Sequence, residues 1–205
     1  SSGVGVSSVL NSDIQDNLKI GTSVILQTTG PVVAGPGDIT INAPIVKGGP
    51  APSASLTLIA TRDIVVNSAI SSAAGTLDVS FYSGRNIALN SGGISTNGGS
   101  IILSAPNFIN GVGAGVLNVS GGGQWVIYSS DPSTNTFLGL VSGNKAMWGI
   151  AVPPFPAPPA PPASGNWYVF ATPGAITATT LGDSKTYGQS ISVAGDITYS
   201  GLPLT

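Results

Sequence analysis

The sequence predicts an all-β chain: a parallel β-helix of about four coils, an aromatic β-hairpin cap and a C-terminal β extension. Three observations carry that expectation. A short phrase is written three times, as Gly37-Asp38-Ile39-Thr40-Ile41-Asn42, Arg62-Asp63-Ile64-Val65-Val66-Asn67 and Arg85-Asn86-Ile87-Ala88-Leu89-Asn90. Its closing Asn recurs after 25 residues and again after 23, a period that belongs to stacked coils rather than to a globular domain. An alternating apolar strand precedes each phrase and a lone Ile follows it, so one unit has three sides.

Residues 1–15 form an N-terminal segment that is small and polar, with Val4, Val6, Val9 and Leu10 as its apolar content. Nothing in it promises to cover the first coil, so that end is expected to continue into further coils or to meet another copy. Asn11 to Asn17 reads as a turn, because Asp13 and Asp16 without any Glu fall short of a calcium loop. The coils occupy residues 16–123. Their leading strands are Val24-Ile25-Leu26, Leu56-Thr57-Leu58, Leu77-Asp78-Val79 and Ile101-Ile102-Leu103, and their short third edges are marked by Ile45, Ile70 and Ile94.

Coils stack at about 4.8 Å, so each inward Ile, Val or Leu lies on its counterpart above and below, contributing about 1.5–3 kcal/mol by burial. Asn42, Asn67 and Asn90 then fall in register at one corner, where Asn tolerates the turn and each amide reaches the next; they are read as a structural ladder. The Gly- and Pro-rich inserts Thr29 to Gly37 and Lys47 to Ser53 are expected to be surface loops.

Residues 124–170 break the pattern. Two aromatic runs, Gln124-Trp125-Val126-Ile127-Tyr128-Ser129 and Asn166-Trp167-Tyr168-Val169-Phe170, are expected to pair as a hairpin and close the helix, with Trp125, Tyr128, Trp167, Tyr168 and Phe170 as cap aromatics. Between them the loop 152–164 reads VPPFPAPPAPPAS, which favours a stiff polyproline II spacer over a ligand for an aromatic groove. Residues 171–205 form a β extension too short to close a sandwich alone, an incomplete repeat whose Ile176, Tyr187, Ile191, Val193, Ile197 and Tyr199 make a candidate assembly strand.

Composition excludes whole classes of chemistry. Of 205 residues 41% are hydrophobic and 7% charged, with a net charge of −2, so the chain is no basic nucleic-acid binder. It contains no Cys, no His and no Glu, which removes thiol nucleophiles, imidazole bases and ordinary zinc sites. No run of apolar residues is long enough to span a membrane as a helix. There is no initiator Met and no signal segment, so a processed or excised chain is expected. The closest approach to a catalytic cluster is Asp38, Asp63 and Asn86 stacked at one corner beside Arg62 and Arg85, the kind of carboxylate set a polysaccharide-cleaving β-helix enzyme requires; local charge pairing and side-chain capping at a turn suffice to account for it, and catalysis is the minor alternative. No catalytic, metal or cofactor-binding residue is assigned, and no cofactor is expected.

Several passages carry a resemblance. Leu18 to Thr28 followed by Gly37 to Ile45 looks like coils of the filamentous-haemagglutinin-like exoproteins exported by two-partner secretion. Gln124 to Pro132, Asn135-Thr136-Phe137, Gly149 and Asn166 to Phe170 are similar to the segment by which such proteins leave the β-helix, and Lys185-Thr186-Tyr187-Gly188 resembles the opening of the sandwich repeats that follow. The resemblance implies a right-handed helix, secretion to the bacterial cell surface, and a non-catalytic adhesive or fibre-forming role. The family's amino-terminal Asn-Pro secretion motifs are not in this sequence. The partners this implies are other copies of the chain or adjoining domains of a longer one, together with a glycan or protein on a host or neighbouring cell. A self-assembling filament subunit, joined by C-terminal strand addition or coil stacking, is the alternative expectation.

Overall fold

The computed structural model describes residues 7–28, 37–49, 53–155 and 164–173 in full, and the backbone of 177–180 and 197–200. Its framework is a parallel β-solenoid whose turns each contribute one strand to each of three sheets. The first turn holds β1 (Val24–Gln27), β2 (Ile39–Ile41) and β3 (Ile45–Lys47), and the second holds β4 (Ala54–Ala60), β5 (Asp63–Val66) and β6 (Ile70–Ser72). The third holds β7 (Leu77–Ser83), β8 (Asn86–Leu89) and β9 (Ile94–Asn97), and the fourth β10 (Ile101–Ser104), β11 (Asn107–Asn110) and β12 (Leu117–Ser120). A fifth turn opens with β13 (Trp125–Ser129) and keeps its second side only as an isolated parallel bridge between Ile109 and Thr136. That makes about five turns where the repeat phrase predicts about four.

The register follows the repeat. Ile39 pairs with Ile64 and Ile64 with Ile87, while Ile45, Ile70 and Ile94 form one column on the third side. On the leading side the inward column is Val24, Leu56, Val79, Ile101 and Trp125. Leu56 therefore pairs with Val79, two residues beyond the Leu77 that the sequence alignment placed there; Leu77 pairs with Ala54 instead. A slip of two preserves the inward face, which is why the pattern alone did not settle it. Close stacking also dictates glycine at some corners: a side chain on Gly99 would meet the Leu77 carbonyl oxygen at 1.9 Å.

Several expectations are corrected. Residues 11–19 form a helix, α1 (Asn11–Lys19), not a turn, and it runs across the 15/16 boundary. Its Ile14 and Leu18, one turn apart, are buried against the first coil, so the N-terminal end is covered after all. The helix closes where Gly21 takes a positive φ of 84°. Lys47, placed in a surface loop by the sequence, is the inward-facing end of β3, fully buried, with Nζ donating to the Ala74 carbonyl at 3.1 Å. Residues 29–36 and 50–52 of those two inserts lie outside the described residues.

The aromatic hairpin is also corrected. β13 and β15 (Trp167–Phe170) pair in parallel, Val126 with Trp167 through Ser129 with Phe170. A hairpin would reverse direction, whereas the long connection lets the chain return to the start of the turn and add a further rung. A third strand, β14 (Ala146–Trp148), pairs in parallel with the far side of β15. The leading sheet thus has seven strands in the order β1-β4-β7-β10-β13-β15-β14. Beyond it, the backbones of β16 (Thr177–Thr180) and β17 (Ile197–Ser200) pair antiparallel.

Candidate functional site

Two polar ladders climb the corners of the solenoid. In the first, Asn67 Nδ2 donates to Asn42 Oδ1 at 2.8 Å and Asn90 Nδ2 to Asn67 Oδ1 at 3.2 Å, so the three asparagines of the phrase lie in one column. The seryl neighbours do likewise through the backbone: Ser68 Oγ donates to the Asn42 carbonyl and Ser91 Oγ to that of Asn67. Above Asn90 the column is continued by Gly111, whose N–H bonds the Leu89 carbonyl, and the side-chain ladder ends.

The second ladder holds the candidate carboxylates. Arg62 grips Asp38 with both ends of its fork, Nε to Oδ1 at 2.8 Å and Nη2 to Oδ2 at 2.5 Å. Arg85 grips Asp63 in the same way one coil higher, Nε to Oδ1 at 2.8 Å and Nη2 to Oδ2. Asp38 Oδ1 also accepts the Asp63 N–H, and Asp63 Oδ1 accepts Asn86 Nδ2 at 3.0 Å; Asn107 Nδ2 then reaches Asn86 Oδ1 at 3.0 Å. The Arg62 guanidinium holds the Asp38 carboxyl below its ordinary range, outweighing the opposing effect of burial, and the carboxylates in turn raise both arginines. Each carboxylate is thus bidentate to a guanidinium and bonded again by an amide. That arrangement ties one coil to the next.

The ends are built differently. At the first coil, α1 supplies side-chain partners to edge backbone: Gln15 Oε1 accepts the Val46 N–H at 3.1 Å and Asn11 Nδ2 donates to the Pro44 carbonyl at 3.0 Å. At the other end Trp125, Tyr168 and Phe170 are buried: Trp125 meets Tyr168 edge-on, Phe137 meets Tyr168 edge-on with ring centroids 4.6 Å apart, and Trp148 meets Phe170 in a tilted pair at 4.8 Å. The Tyr168 hydroxyl donates to the buried Leu140 carbonyl at 2.6 Å, and burial raises its pKa well above the ordinary phenol value. Tyr128 and Trp167 stand apart from that cluster. They face outward on the leading sheet, in a second apolar group with Val126, Val169, Met147, Ile150 and Val152. That group exists because the chain after β14 folds back over the outer face: Ser104 Oγ donates to the Pro153 carbonyl at 2.7 Å, and Phe155 packs edge-on to Tyr82 at 5.3 Å. The start of the Pro-rich loop is therefore a strap on the sheet; residues 156–163 lie outside the described residues.

Of the candidate assembly-strand residues, Ile197 and Tyr199 belong to β17, and Ile176, Tyr187, Ile191 and Val193 lie outside the described residues. Sequence reasoning missed Asn110. It occupies the inward position above Leu89, is 1% exposed, and makes four bonds: Nδ2 to the Gly113 and Phe137 carbonyls, Oδ1 from the Val112 and Gly113 N–H groups. Its signal was the run Asn107-Phe108-Ile109-Asn110, a fourth, shortened copy of the phrase.

No family model, curated protein or solved structure matches this chain.

Proposed function

We propose that this chain is a non-catalytic structural or adhesive module of a secreted bacterial surface protein of the filamentous-haemagglutinin-like kind, in which the solenoid is a stiff stalk. The observation that carries the reading is the pair of corner ladders. The residues with most chemical capability, Asp38, Asp63, Arg62 and Arg85, spend their hydrogen-bonding capacity on neighbouring coils, as a load-bearing element requires. A polysaccharide-cleaving enzyme needs those carboxylates released, so that reading ranks last.

A filament grown by coil stacking ranks second, because both ends are blunted in the manner of protected edge strands. The first coil lies under α1, and β14 is three residues long between Asn144 and Gly149, both with positive φ. The test is light scattering of the purified chain over a concentration series, followed by glycan and cell-binding screens. A constant mass of 20.2 kDa supports the stalk; concentration-dependent polymers overturn it in favour of the filament.

A further inference from the structure

Strand order at the closing end is inverted relative to chain order. β14 precedes β15 in sequence by about one coil's length, yet lies outside it, and β15 is its sole strand partner among the described residues. β14 has no rung to join until Trp167–Phe170 has seated on β13.

The bonds around it point the same way. On one side β15 is fixed to the solenoid: the Ala171 and Thr172 N–H groups donate to the Ser129 and Ser130 carbonyls at 3.0 and 2.9 Å, and Asn166 Oδ1 accepts the Trp125 N–H at 3.0 Å. On its other side it holds what came before it. Tyr168 N–H donates to the Lys145 carbonyl, and the Ile150 N–H to that of Phe170. The Tyr168 hydroxyl holds Leu140, Lys145 Nζ reaches the Ser164 carbonyl at 2.9 Å and lies 5.6 Å from the Trp167 ring, and Phe170 carries Trp148. Val169, 1% exposed, forms with Val126 and Tyr128 of β13 the outward group on which Met147, Ile150 and Val152 pack. β14 and the turn to Ile150 thus rest on β15, whereas β15 rests on β13; the strap beyond them has its own anchors on Ser104 of β10 and Tyr82 of β7.

We propose that Trp167–Phe170 is a latch. The segment 145–150 docks only after β15 has seated, and displacement of β15 releases that segment as one unit while the earlier coils remain closed and the strap keeps its anchors on Ser104 and Tyr82. The last turn is consequently a separate opening unit, set by topology and independent of the functional reading above.

Hydrogen exchange on the full chain tests this. In the unaltered protein, amides of 146–150 should exchange at least as fast as those of 167–170, since the outer strand cannot outlast its support. Val169→Pro, which denies β15 a backbone donor, should cut protection about tenfold or more over both 146–150 and 167–170 and leave 56–89 unchanged. Met147→Pro should deprotect 146–150 and spare 167–170. Three results overturn the latch: slower exchange in 146–150 than in 167–170, retention of protection over 146–150 in Val169→Pro, or loss of 167–170 in Met147→Pro as large as in Val169→Pro. Loss of protection over 56–89 in Val169→Pro overturns the claim of a separate unit.

Discussion

Replacing Ile64 by alanine separates the weight carried by the core column from that carried by the corner ladder. Ile64 is fully buried between Ile39 and Ile87 in adjacent coils. Both neighbours are fixed by backbone ladders, so the cavity cannot collapse along the axis, and the loss belongs in the middle of the large-to-small range, about 3–4 kcal/mol. Asn67→Ala removes two bonds, one to Asn42 and one from Asn90, at a partly solvated corner. At about 0.5–1 kcal/mol for each such bond the loss is about 1–2 kcal/mol. Urea unfolding followed by circular dichroism reads both, with Val65→Ala as the outward-facing control. An Asn67→Ala loss equal to that of Ile64→Ala, or a Val65→Ala loss as large, would refute the assigned register and the primacy of the core.

Three other outcomes are expected. Tyr168→Phe strands the buried Leu140 carbonyl and should cost about 1–3 kcal/mol; because burial raises the folded-state pKa of Tyr168 above the ordinary 10.0, its contribution holds below that pH and is lost on further alkalinisation, so the variant should show a shallower alkaline limb in pH-dependent melting. Asp38 behaves in the opposite sense: its folded-state pKa lies below the ordinary 3.8, so its stabilisation is present above that value and fades as pH falls through the folded one, and Asp38→Asn should flatten the acid limb of the same profile. Leu18→Asp places a charge at a fully buried position, should detach α1, and should convert a monomer into a concentration-dependent assembly through the uncovered first coil, read by light scattering.

How much of this was legible depended on whether the signal was periodic. The columns of Ile39, Ile64 and Ile87, and of Ile45, Ile70 and Ile94, follow from residues repeated at coil spacing, and the Asn42, Asn67 and Asn90 column comes with them. Elements used once had no such support. α1 is polar on every face but one, with Ile14 and Leu18 as its buried residues and Leu10 at its N-cap making no side-chain cap bond, so its helicity is decided by the coil beneath it. The aromatic runs showed two strands but not their relative direction, which depends on where the intervening chain goes. β14 is too short to register as a strand, and the strap is visible only once Ser104 and Tyr82 are known to face outward together. Asn110 and Lys47 look like surface residues until the register turns them inward.

The direction of the coil-to-coil hydrogen bonds has a mechanical consequence. They run along the solenoid axis, so a pull applied between the two ends opens the ladder one coil at a time instead of shearing many bonds together. Each coil holds about 24 residues, and at about 3.4 Å per extended residue its release lengthens the chain by about 80 Å. A module of this kind under tension yields in steps, and each step takes up slack that would otherwise be transmitted as a sudden load.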